Sequence, residues 1–464
     1  MDQFDLIIIG TGQGGVPLAS AFAKKDKKVA IIERYLFGGS CVNFGCTPTK
    51  TMVASARTAW RSNHASRWGV HTGEVTVDFS RVMERKQEQI DQGRNGVKKA
   101  MEDEGNIEPV AGHARFLSSD TVEVTLSDGG IRTLKAPKIV INTGTRGLIP
   151  DVQGLDSVPY LTASSLMELK EQPRHLIVFG GGFLALEFGQ LFRRLGSKVS
   201  IVEQSQQVSD REDREIADLI QEALTEEGVD IYCNSKPEKV SHADGMFSVE
   251  VKREGKSIKL SGSHLLVATG RRPNTDDLGL EAAGVITDDH GHIKVSDKLE
   301  TNVPGIYAIG DVKGGPAFTH VSYDDFRVVS ANLLEGANKT IAERTVPYAV
   351  FTDPQLGRVG LSESQARENG MDYKVAKLPM SKNSRAVETG LTRGLMKVII
   401  DPADDKIIGV AMLGDQGGEM MTALQIAMHG GVPYTDIRDM MIAHPLYCES
   451  FNNLFQQVKS PGED

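Results

Sequence analysis

Two apolar runs, each followed by glycines and a helical pattern, recur along the chain. The first segment reads DLIIIGTGQGGVPLASAFAKKDKKVAIIE and the second reads HLIVFGGGFLALEFGQLFRRLGSKVSIVE. In each, a short continuous apolar run predicts a buried strand, small residues open an apolar helix, and a second strand ends in glutamate. The segments are offset by 170 positions, the separation of Gly10 and Gly180. The pattern predicts a duplicated strand–helix–strand unit.

Glycines and one acidic residue hold equivalent places in the two units. The equivalent sets are Gly10, Gly12, Gly15 and Glu33 in the first unit, and Gly180, Gly182, Ala185 and Glu203 in the second. Such glycines let the backbone approach a pyrophosphate at a helix N-terminus, and the acid hydrogen-bonds a ribose. A lone G-x-G-x-x-G is often an ordinary tight turn. Two in register, each with its acid, predict two dinucleotide-binding domains.

The remaining pattern predicts how these domains are completed. KIVINTG (138–144) and HLLVATG (264–270) each predict a strand that ends in Thr-Gly and closes one nucleotide domain. Residues 55–104 are charged and predict a helical excursion inside the first domain, and residues 111–136 alternate like a small antiparallel sheet. From about residue 346, strands and a methionine-rich helix near 417–430 predict an α+β domain. Its large apolar face is either core or a dimer interface.

Composition narrows the class of protein. A chain of 464 residues has room for roughly three domains of about 150 residues. The net charge of -10 argues against nucleic-acid and anionic-membrane partners, which would be repelled. No apolar run approaches about 18 residues, and the opening MDQFDLIIIG lacks a basic region and a cleavage site. These features predict a soluble cytoplasmic protein.

Two of the four cysteines, Cys41 and Cys46, lie in GGSCVNFGC. In a reducing cytosol such a close pair is redox-active or metal-binding rather than structural. A disulfide needs Cα atoms within about 7 Å, whereas positions i and i+5 of a helix are separated by about 7.5 Å of rise. If the two cysteines pair, the segment is therefore not plain helix, and Gly45 can supply the distortion. Thr47 and Pro48 predict a helix start, whose dipole favours a thiolate.

A metal site at this pair is not expected, because two cysteines supply only half of a tetrahedral zinc shell. Of the other two cysteines, Cys233 is expected to be a buried strand thiol. Cys448 lies close to His444 in AHPLYCESFNNLF, and its role stays open between packing and substrate chemistry.

With the two nucleotide units, the cysteine pair and the ending AHPLYCESFNNLF, the chain resembles the flavin-dependent pyridine nucleotide-disulfide oxidoreductases. Dihydrolipoamide dehydrogenase, glutathione reductase and mercuric reductase belong to this group. The resemblance extends from Phe4 to about Phe455 and implies an α/β fold with two Rossmann-like dinucleotide-binding domains and a C-terminal α+β dimerisation domain. The implied domains are 1–149 for FAD, 150–272 for NAD(P), 273–345 as a central segment returning to the FAD, and 346–464 as the interface domain.

The resemblance implies roles for the catalytic residues. Cys46 resembles the flavin-proximal charge-transfer thiol, and Cys41 resembles the interchange thiol that attacks the substrate. His444 and Glu449 match the acid–base pair that reaches across from the partner subunit, so the active site would need a homodimer. Lys50 resembles the lysine near the flavin N5 atom.

The resemblance also implies which residues bind the cofactors, and Lys50 is expected to pair with Glu187. Asp311 would hold the ribityl chain, and the helix that starts in FTHVSYDD would point its N-terminus at the flavin. The implied FAD-binding residues are Gly10, Gly12, Gly15, Glu33, Arg34, Gly39, Ser40, Lys50, Gly112, His113, Ala114, Thr143, Gly144, Gly310, Asp311, Phe318, Thr319 and His320. The implied NAD(P)-binding residues are Gly180, Gly182, Ala185, Glu187, Glu203 and Gly270.

The residues give opposing evidence on the coenzyme and leave three hypotheses open for the substrate. Glu203 would repel a 2′-phosphate and favours NADH, whereas Ala185 resembles the NADPH-using relatives; the charge argument tips the balance to NADH. The primary expectation is an oxidoreductase of a small disulfide or dithiol, like dihydrolipoamide dehydrogenase. The alternatives are a reductase of Hg(II), Cu(II) or quinones, and a complex subunit that docks to a lipoyl-bearing protein. The chain lacks the C-terminal vicinal cysteines usual in mercuric reductases. Leu446 follows His444-Pro445 where the family usually has threonine, and Tyr447 and Cys448 come next, so the substrate pocket is expected to be unusual.

Overall fold

The computed structural model describes residues 1–462. The contacts within the chain group it into two compact units, each described separately below. Unit 1 consists of Met1–Thr51, Arg81–Leu148 and Gly270–Arg344, and unit 2 consists of Met52–Ser80, Ile149–Thr269 and residues 345–462. The four domain limits that the resemblance implies stay predictions.

The first third of the chain alternates strands and helices and then turns to consecutive strands. Its elements are β1 (Asp2–Gln3), β2 (Leu6–Ile9), α1 (Gly15–Ala23), β3 (Val29–Glu33), α2 (Gly39–Asn43), α3 (Cys46–Asn63), α4 (Phe79–Glu102), β4 (Ile107–Ser118), β5 (Thr121–Leu126), β6 (Ile131–Lys135), β7 (Ile139–Ile141) and β8 (Thr145–Gly147).

The middle of the chain repeats this alternation and ends on a long helix. Its elements are α5 (Ala163–Leu166), β9 (His175–Phe179), α6 (Phe183–Leu195), β10 (Lys198–Val202), α7 (Arg214–Glu226), β11 (Val229–Tyr232), β12 (Ser235–Ala243), β13 (Met246–Arg253), β14 (Lys256–Gly262), β15 (His264–Val267), β16 (Arg271–Pro273), α8 (Leu280–Ala283), β17 (Ile306–Ala308) and α9 (Thr319–Glu335).

The last part of the chain is mixed. Its elements are β18 (Tyr348–Val350), β19 (Gln355–Gly360), α10 (Glu363–Glu368), β20 (Lys374–Pro379), α11 (Ser384–Thr389), β21 (Leu395–Ile400), β22 (Ile407–Gly414), α12 (Gly417–His429), α13 (Tyr434–Asp439) and α14 (Phe451–Phe455). Short 3-10 turns connect several elements, and one of them, Tyr447–Ser450, follows His444.

The larger sheet of unit 1 has the strand order β1-β6-β5-β4-β3-β2-β7-β17, and β8 and β16 form a two-stranded sheet. Strand β2 reads LIII, is wholly buried and pairs in parallel with β3 and β7, as its continuous apolar run predicts. The alternation over residues 111–136 predicted a small antiparallel sheet. Strands β4 to β6 do pair antiparallel, but β4 also pairs in parallel with β3, so these strands extend the nucleotide sheet.

Unit 2 contains three sheets. The parallel sheet β11-β10-β9-β15 is the second nucleotide sheet, and the antiparallel sheets are β12-β13-β14 and β18-β19-β22-β21-β20. Met420, Met421 and Leu424 of α12 are buried in the core over the last sheet, whereas Ile426 of the same helix is 69% exposed. One face of the methionine-rich helix is therefore core, and its opposite face is exposed.

The predicted helical excursion is present as α3 and α4, but it does not lie wholly with the first nucleotide sheet. Residues 52–80 belong to unit 2. The reason is a set of contacts made by the second half of α3. The Arg194 guanidinium lies 4.8 Å from the centre of the Trp60 ring, and Arg57 pairs with Asp353 at 3.4 Å.

The duplication predicted from the apolar pattern is confirmed by β2–α1–β3 in unit 1 and β9–α6–β10 in unit 2. Within residues 1–462, none of the helices is long and apolar enough to cross a membrane.

Candidate active site

The two cysteines lie on either side of a helix break. Helix α2 ends after Asn43, and α3 begins at Cys46. The backbone N–H of Gly45 donates to the Ser40 carbonyl at 2.6 Å, and the Gly45 carbonyl accepts from Thr49 N at 3.1 Å. The break at Gly45 is therefore as predicted. The predicted helix start at Thr47 and Pro48 is wrong, because Gly45 already supplies the first acceptor of α3.

A buried amide fixes the short helix α2, which carries Cys41. The Asn43 side chain is 2% exposed, and its Nδ2 atom donates to the carbonyls of Phe37 at 3.0 Å and Gly39 at 2.9 Å. Arg94 of α4 donates to Asn43 Oδ1 from Nε at 3.0 Å and from Nη2 at 2.9 Å. The orientation of α2 is thus held from inside by Asn43 and from outside by Arg94.

The two sulfurs share one proton. Both thiols are reduced in the structure. The hydrogen bond from Cys41, followed by the Thr319 hydroxyl and the Lys50 charge, lowers the pKa of Cys46 to about 6 against the opposing effect of burial. The same hydrogen bond, together with burial, raises the pKa of Cys41 above its ordinary value of 9.0. At neutral pH the pair therefore carries a single negative charge, on Cys46.

Thr319, which was predicted to bind FAD, contacts sulfur directly. Its Oγ1 atom lies 3.2 Å from Cys46 Sγ. Since a thiolate can only accept, the Thr319 hydroxyl donates to it. Thr319 is the first residue of α9, which has no acidic side chain in its first turn. The positive end of this helix dipole also favours the thiolate.

The glycines predicted to bind FAD form a tight cradle in unit 1. Gly10 follows β2 with φ +109°, and a Cβ there would lie 2.3 Å from the Asn142 carbonyl oxygen. A Cβ on Gly39, at φ +65°, would lie 2.8 Å from Gly12 Cα. Helix α1 has no acidic side chain in its first turn. Close backbone approach and a bare helix N-terminus fit the pyrophosphate of FAD.

Several residues predicted to bind FAD are held by polar contacts near β3 and β4. Glu33 accepts from Thr11 N at 3.1 Å and from Tyr35 N at 3.0 Å. Arg34 pairs with Asp277 at 2.5 Å, and His113 Nε2 lies 3.1 Å from the Asp277 carbonyl oxygen. Gly112 and Ala114 flank His113 on β4, and Ser40 lies on α2.

The predicted flavin end gathers three loops of unit 1. Asp311 Oδ2 accepts from Thr145 Oγ1 at 2.9 Å, directly after the turn formed by Thr143 and Gly144. Gly310 N donates to the fully buried Asp325 at 2.7 Å, which fixes the backbone next to Asp311. The rings of Phe318 and His320 stack at 5.3 Å at the start of α9. Asp325 was not predicted, because a buried anchor leaves no motif.

The second nucleotide unit repeats the first in detail. Gly180 has φ +105°, and Glu203 accepts from Gly181 N and, at 2.6 Å, from Ser205 N. These donors are 170 positions after Thr11 and Tyr35, which bind Glu33. Glu203 lines a cavity of about 110 Å³ together with Gly180, Gln204 and Thr269.

Of the other residues predicted to bind NAD(P), some are buried and others have open space around them. Ala185 is fully buried in α6, whereas a Cβ on Gly182 would meet nothing within 4 Å. Glu187 is 1% exposed and accepts from Phe351 N at 2.8 Å. Gly270 belongs to unit 1, with φ +135°. The pairing of Glu187 with Lys50 stays a prediction.

His444 and Glu449 form a pair in unit 2. His444 Nδ1 lies 2.9 Å and 3.0 Å from the two Glu449 carboxylate oxygens. The imidazole is 65% exposed and the carboxylate side chain 30%. This arrangement fixes Nδ1–H towards Glu449 and leaves Nε2 to exchange a proton with a substrate.

The remaining cysteines are not poised as thiolates. Cys233 follows β11 and donates to Gln221 Oε1 at 3.4 Å, and burial raises its pKa. Cys448 packs against the apolar core of the last domain, and burial raises its pKa too.

One acidic cluster in unit 2 has the spacing of a metal site. Asp213, Glu215 and Glu363 surround the Lys397 ammonium at 2.7, 2.5 and 2.7 Å. The ammonium occupies the position that a cation would take, so the cluster is an internal ion pair network.

The chain is similar in sequence to proteins of one known family. Residues 4–325 match the family described as pyridine nucleotide-disulphide oxidoreductase, and residues 346–455 match its dimerisation domain. The chain is 37% identical over 463 residues to the probable pyridine nucleotide-disulfide oxidoreductase RclA of Escherichia coli, covering 99% of this chain and 100% of that protein. It is 34% identical to a mercuric reductase of Lysinibacillus sphaericus, covering 95% of this chain and 80% of the relative.

The chain also resembles a dihydrolipoyl dehydrogenase and a solved flavoprotein structure. A dihydrolipoyl dehydrogenase of Bacillus subtilis is 32% identical, covering 96% of this chain and 94% of the relative. The solved structure described as the Cu(II) complex of the HOCl-induced flavoprotein disulfide reductase RclA from Escherichia coli superposes with a TM-score of 0.90. It is 37% identical, and the match covers 99% of this chain and 100% of that one.

Proposed function

Because this chain belongs to the class I pyridine nucleotide-disulfide oxidoreductases, enzymes that use FAD and a pyridine nucleotide, we propose that it carries an electron pair from NAD(P)H through Cys41 and Cys46 to an oxidised substrate. The observation that carries the proposal is the placement of Cys41 and Cys46 on either side of the helix break, with the Thr319 hydroxyl 3.2 Å from Cys46 Sγ. Bound FAD would accept the hydride of the nicotinamide and supply the electron pair to the disulfide. The FAD-binding residues predicted in unit 1, from Gly10 to His320, would hold the FAD. The close-packed glycines and the N-termini of α1 and α9 support this assignment.

The two cysteines pass the electron pair to the substrate in three steps. Two electrons and one proton convert the Cys41–Cys46 disulfide into a Cys41 thiol and a Cys46 thiolate. His444 takes the proton of Cys41, whose sulfur then attacks a substrate disulfide, and the first substrate thiol leaves with that proton. Cys46 attacks Cys41 in the mixed disulfide, which restores the protein disulfide and releases the second substrate sulfur as a thiolate, which takes a proton from the solvent.

A small disulfide or dithiol is the substrate that this machinery favours. The leaving group of disulfide exchange is a thiolate, whose ordinary pKa of about 8.5 lies above neutral pH, so it needs a proton donor. The pair of His444 and Glu449 supplies one. A reductase that only passed electrons would have no use for this pair.

Cu(II) is the second candidate, and one observation favours it. The relative with a TM-score of 0.90 is described as a Cu(II) complex. Thiolates bind Cu(I) well, so a reduced cysteine pair suits the product ion. Two Cu(II) ions would consume the electron pair and restore the protein disulfide.

A panel of oxidants tests the substrate class. We expect the holoenzyme to oxidise NAD(P)H in the presence of lipoamide or another small disulfide, and to reduce NAD⁺ with the dithiol in the reverse direction. Turnover with Cu(II) but with none of the disulfides would make the protein a metal-ion reductase. Turnover with quinones alone would contradict both candidates, and a lipoylated protein recovered in a pull-down would support the docking alternative.

We propose that the protein works as a homodimer, which its match to the dimerisation domain favours. The chain around His444 exposes large apolar side chains, with Met440 at 51%, Met441 at 97% and Leu446 at 50%. Such a cluster of exposed apolar residues next to a proton donor is typical of a protein surface that a second subunit covers.

We further propose NADH as the preferred coenzyme. In Glu203→Ala we expect the NADH preference, measured as the ratio of kcat/KM for NADH to that for NADPH, to fall about ten- to hundredfold, because a charged hydrogen bond to the ribose is lost. The ratio matters, since Glu203 also holds Gly181 N and its loss affects both coenzymes. Gln204→Ala, in the same cavity, is the uncharged control. An unchanged ratio would contradict the assignment.

A further inference from the structure

The turn between His444 and Glu449 is tied to two neighbouring elements by one tyrosine. The Tyr447 hydroxyl donates to Asp415 Oδ2 at 3.1 Å and lies 3.0 Å from Thr389 Oγ1. Asp415 precedes α12, and Thr389 is the last residue of α11. The backbone carbonyl of Tyr447 also accepts from the Nδ2 atom of the buried Asn383 at 2.8 Å.

Asp415 is a buried carboxylate that the proposed chemistry does not use. The residue is 8% exposed, and its Oδ1 atom has no hydrogen-bond partner within residues 1–462. Its Oδ2 atom is held by the Tyr447 hydroxyl. Breaking the hydrogen bond from the Tyr447 hydroxyl would leave a buried carboxylate without a donor, which is unfavourable. The Tyr447–Asp415 hydrogen bond is therefore expected to be strong.

We propose that Tyr447 and Asp415 are positioning residues for the acid–base pair: their hydrogen bond holds the turn so that the Glu449 carboxylate stays on Nδ1 of His444. The inference rests on the proposed function of that pair. Tyr447 lies three residues after His444 and two before Glu449. A shift of the turn therefore moves the imidazole and the carboxylate relative to each other and to the substrate thiol.

The sequence departs from the family pattern at this same turn. Leu446 stands where the family usually has threonine, and Tyr447 and Cys448 follow it. The tyrosine brings its own partner, since Asp415 is 32 positions earlier in the chain and meets it only through the fold. The pair thus holds the turn that carries the proposed proton donor.

Tyr447→Phe tests the proposal, because it removes the hydroxyl and keeps the ring. We expect kcat for disulfide reduction to fall about ten- to hundredfold, as small misplacements of catalytic groups do. We expect KM for the disulfide to stay within about twofold and the solvent isotope effect to rise, because proton transfer becomes the slow step. Reduction of the bound flavin by NADH, followed by stopped-flow absorbance, should not change.

Two further variants complete the design. Cys448→Ala, at the neighbouring position of the same turn, leaves the hydrogen bond between Tyr447 and Asp415 in place and should leave kcat and the isotope effect unchanged. Asp415→Asn keeps an acceptor for Tyr447 and should retain most of kcat, whereas Asp415→Leu should resemble Tyr447→Phe. If Tyr447→Phe does not fold, the comparison of Asn with Leu at position 415 carries the test.

The outcomes separate this inference from the function on which it rests. Normal kcat and isotope effect in Tyr447→Phe, with His444→Ala impaired, would overturn the positioning role alone. An equal loss of flavin reduction and disulfide reduction in Tyr447→Phe would also overturn it, because the effect would then be general. Normal turnover in His444→Ala would overturn the proposed function itself.

Discussion

Replacing Cys41 by serine or alanine is expected to lower NAD(P)H-dependent disulfide reduction by more than about a thousandfold. Neither variant can form the disulfide that carries the electron pair or attack the substrate. Steady-state turnover with lipoamide measures this loss. Cys233→Ser, which changes a half-buried thiol hydrogen-bonded to Gln221, is the control and should keep its activity.

The serine and alanine variants should differ in their remaining thiol. The hydrogen bond from Cys41 is the largest cause that lowers the pKa of Cys46 to about 6. Serine keeps an O–H donor and should preserve most of this shift, whereas alanine removes the donor, so the pKa of Cys46 should rise towards 9.0. Between these two pH values Cys46 should be ionised in the serine variant and largely protonated in the alanine variant.

The pH dependence of Cys46 alkylation by iodoacetamide measures this difference. In both variants the rate should rise with pH as the thiolate forms, with a lower midpoint in the serine variant. Equal midpoints in the two variants would contradict the shared proton, even if both variants were inactive.

Replacing His444 by alanine is expected to lower disulfide reduction about a hundred- to ten-thousandfold, the usual contribution of general acid–base catalysis. The substrate thiol would then leave without a proton, and Cys41 would keep its own. Flavin reduction by NADH should proceed at the wild-type rate, because it needs no residue of this pair. His429→Ala, an exposed histidine of α12 in the same domain, is the control.

Cu(II) reduction extends the His444 experiment. An electron transfer to bound Cu(II) needs no leaving-group proton, so His444→Ala should impair it far less than disulfide reduction. Equal loss with both oxidants, or normal disulfide turnover in the variant, would contradict the role of His444 as the proton donor.

The parts of the fold that sequence predicted are those with a local cause. Each nucleotide unit lies within about thirty residues of the chain. It consists of a buried parallel strand, a glycine that needs φ near +100°, a helix, and a second strand that ends in an acid. The repeat therefore identified Gly10 with Gly180 and Glu33 with Glu203, and the same backbone donors bind both acids. The break at Gly45 was also readable, because a regular helix does not let Cys41 and Cys46 pair.

The contacts that sequence did not predict join residues far apart in the chain. Arg94 meets Asn43 from 51 positions away, and Thr319 meets Cys46 from 273 positions away. Polar side chains of this kind have no periodicity, and only the packed sheets bring them together. The same cause explains residues 52–80, whose helical pattern was clear but whose partners are distant in sequence: Asp353 lies 296 positions after Arg57, with which it pairs.

Anaerobic titration of the purified yellow holoenzyme with NADH tests the central claim most directly. The account predicts that the first equivalent produces long-wavelength absorbance from a thiolate against the flavin and makes the thiols of Cys41 and Cys46 available to alkylation. The absorbance should disappear as the pH falls through about 6, where Cys46 takes up a proton. Bleaching of the flavin with no such absorbance and no new thiols would contradict the account.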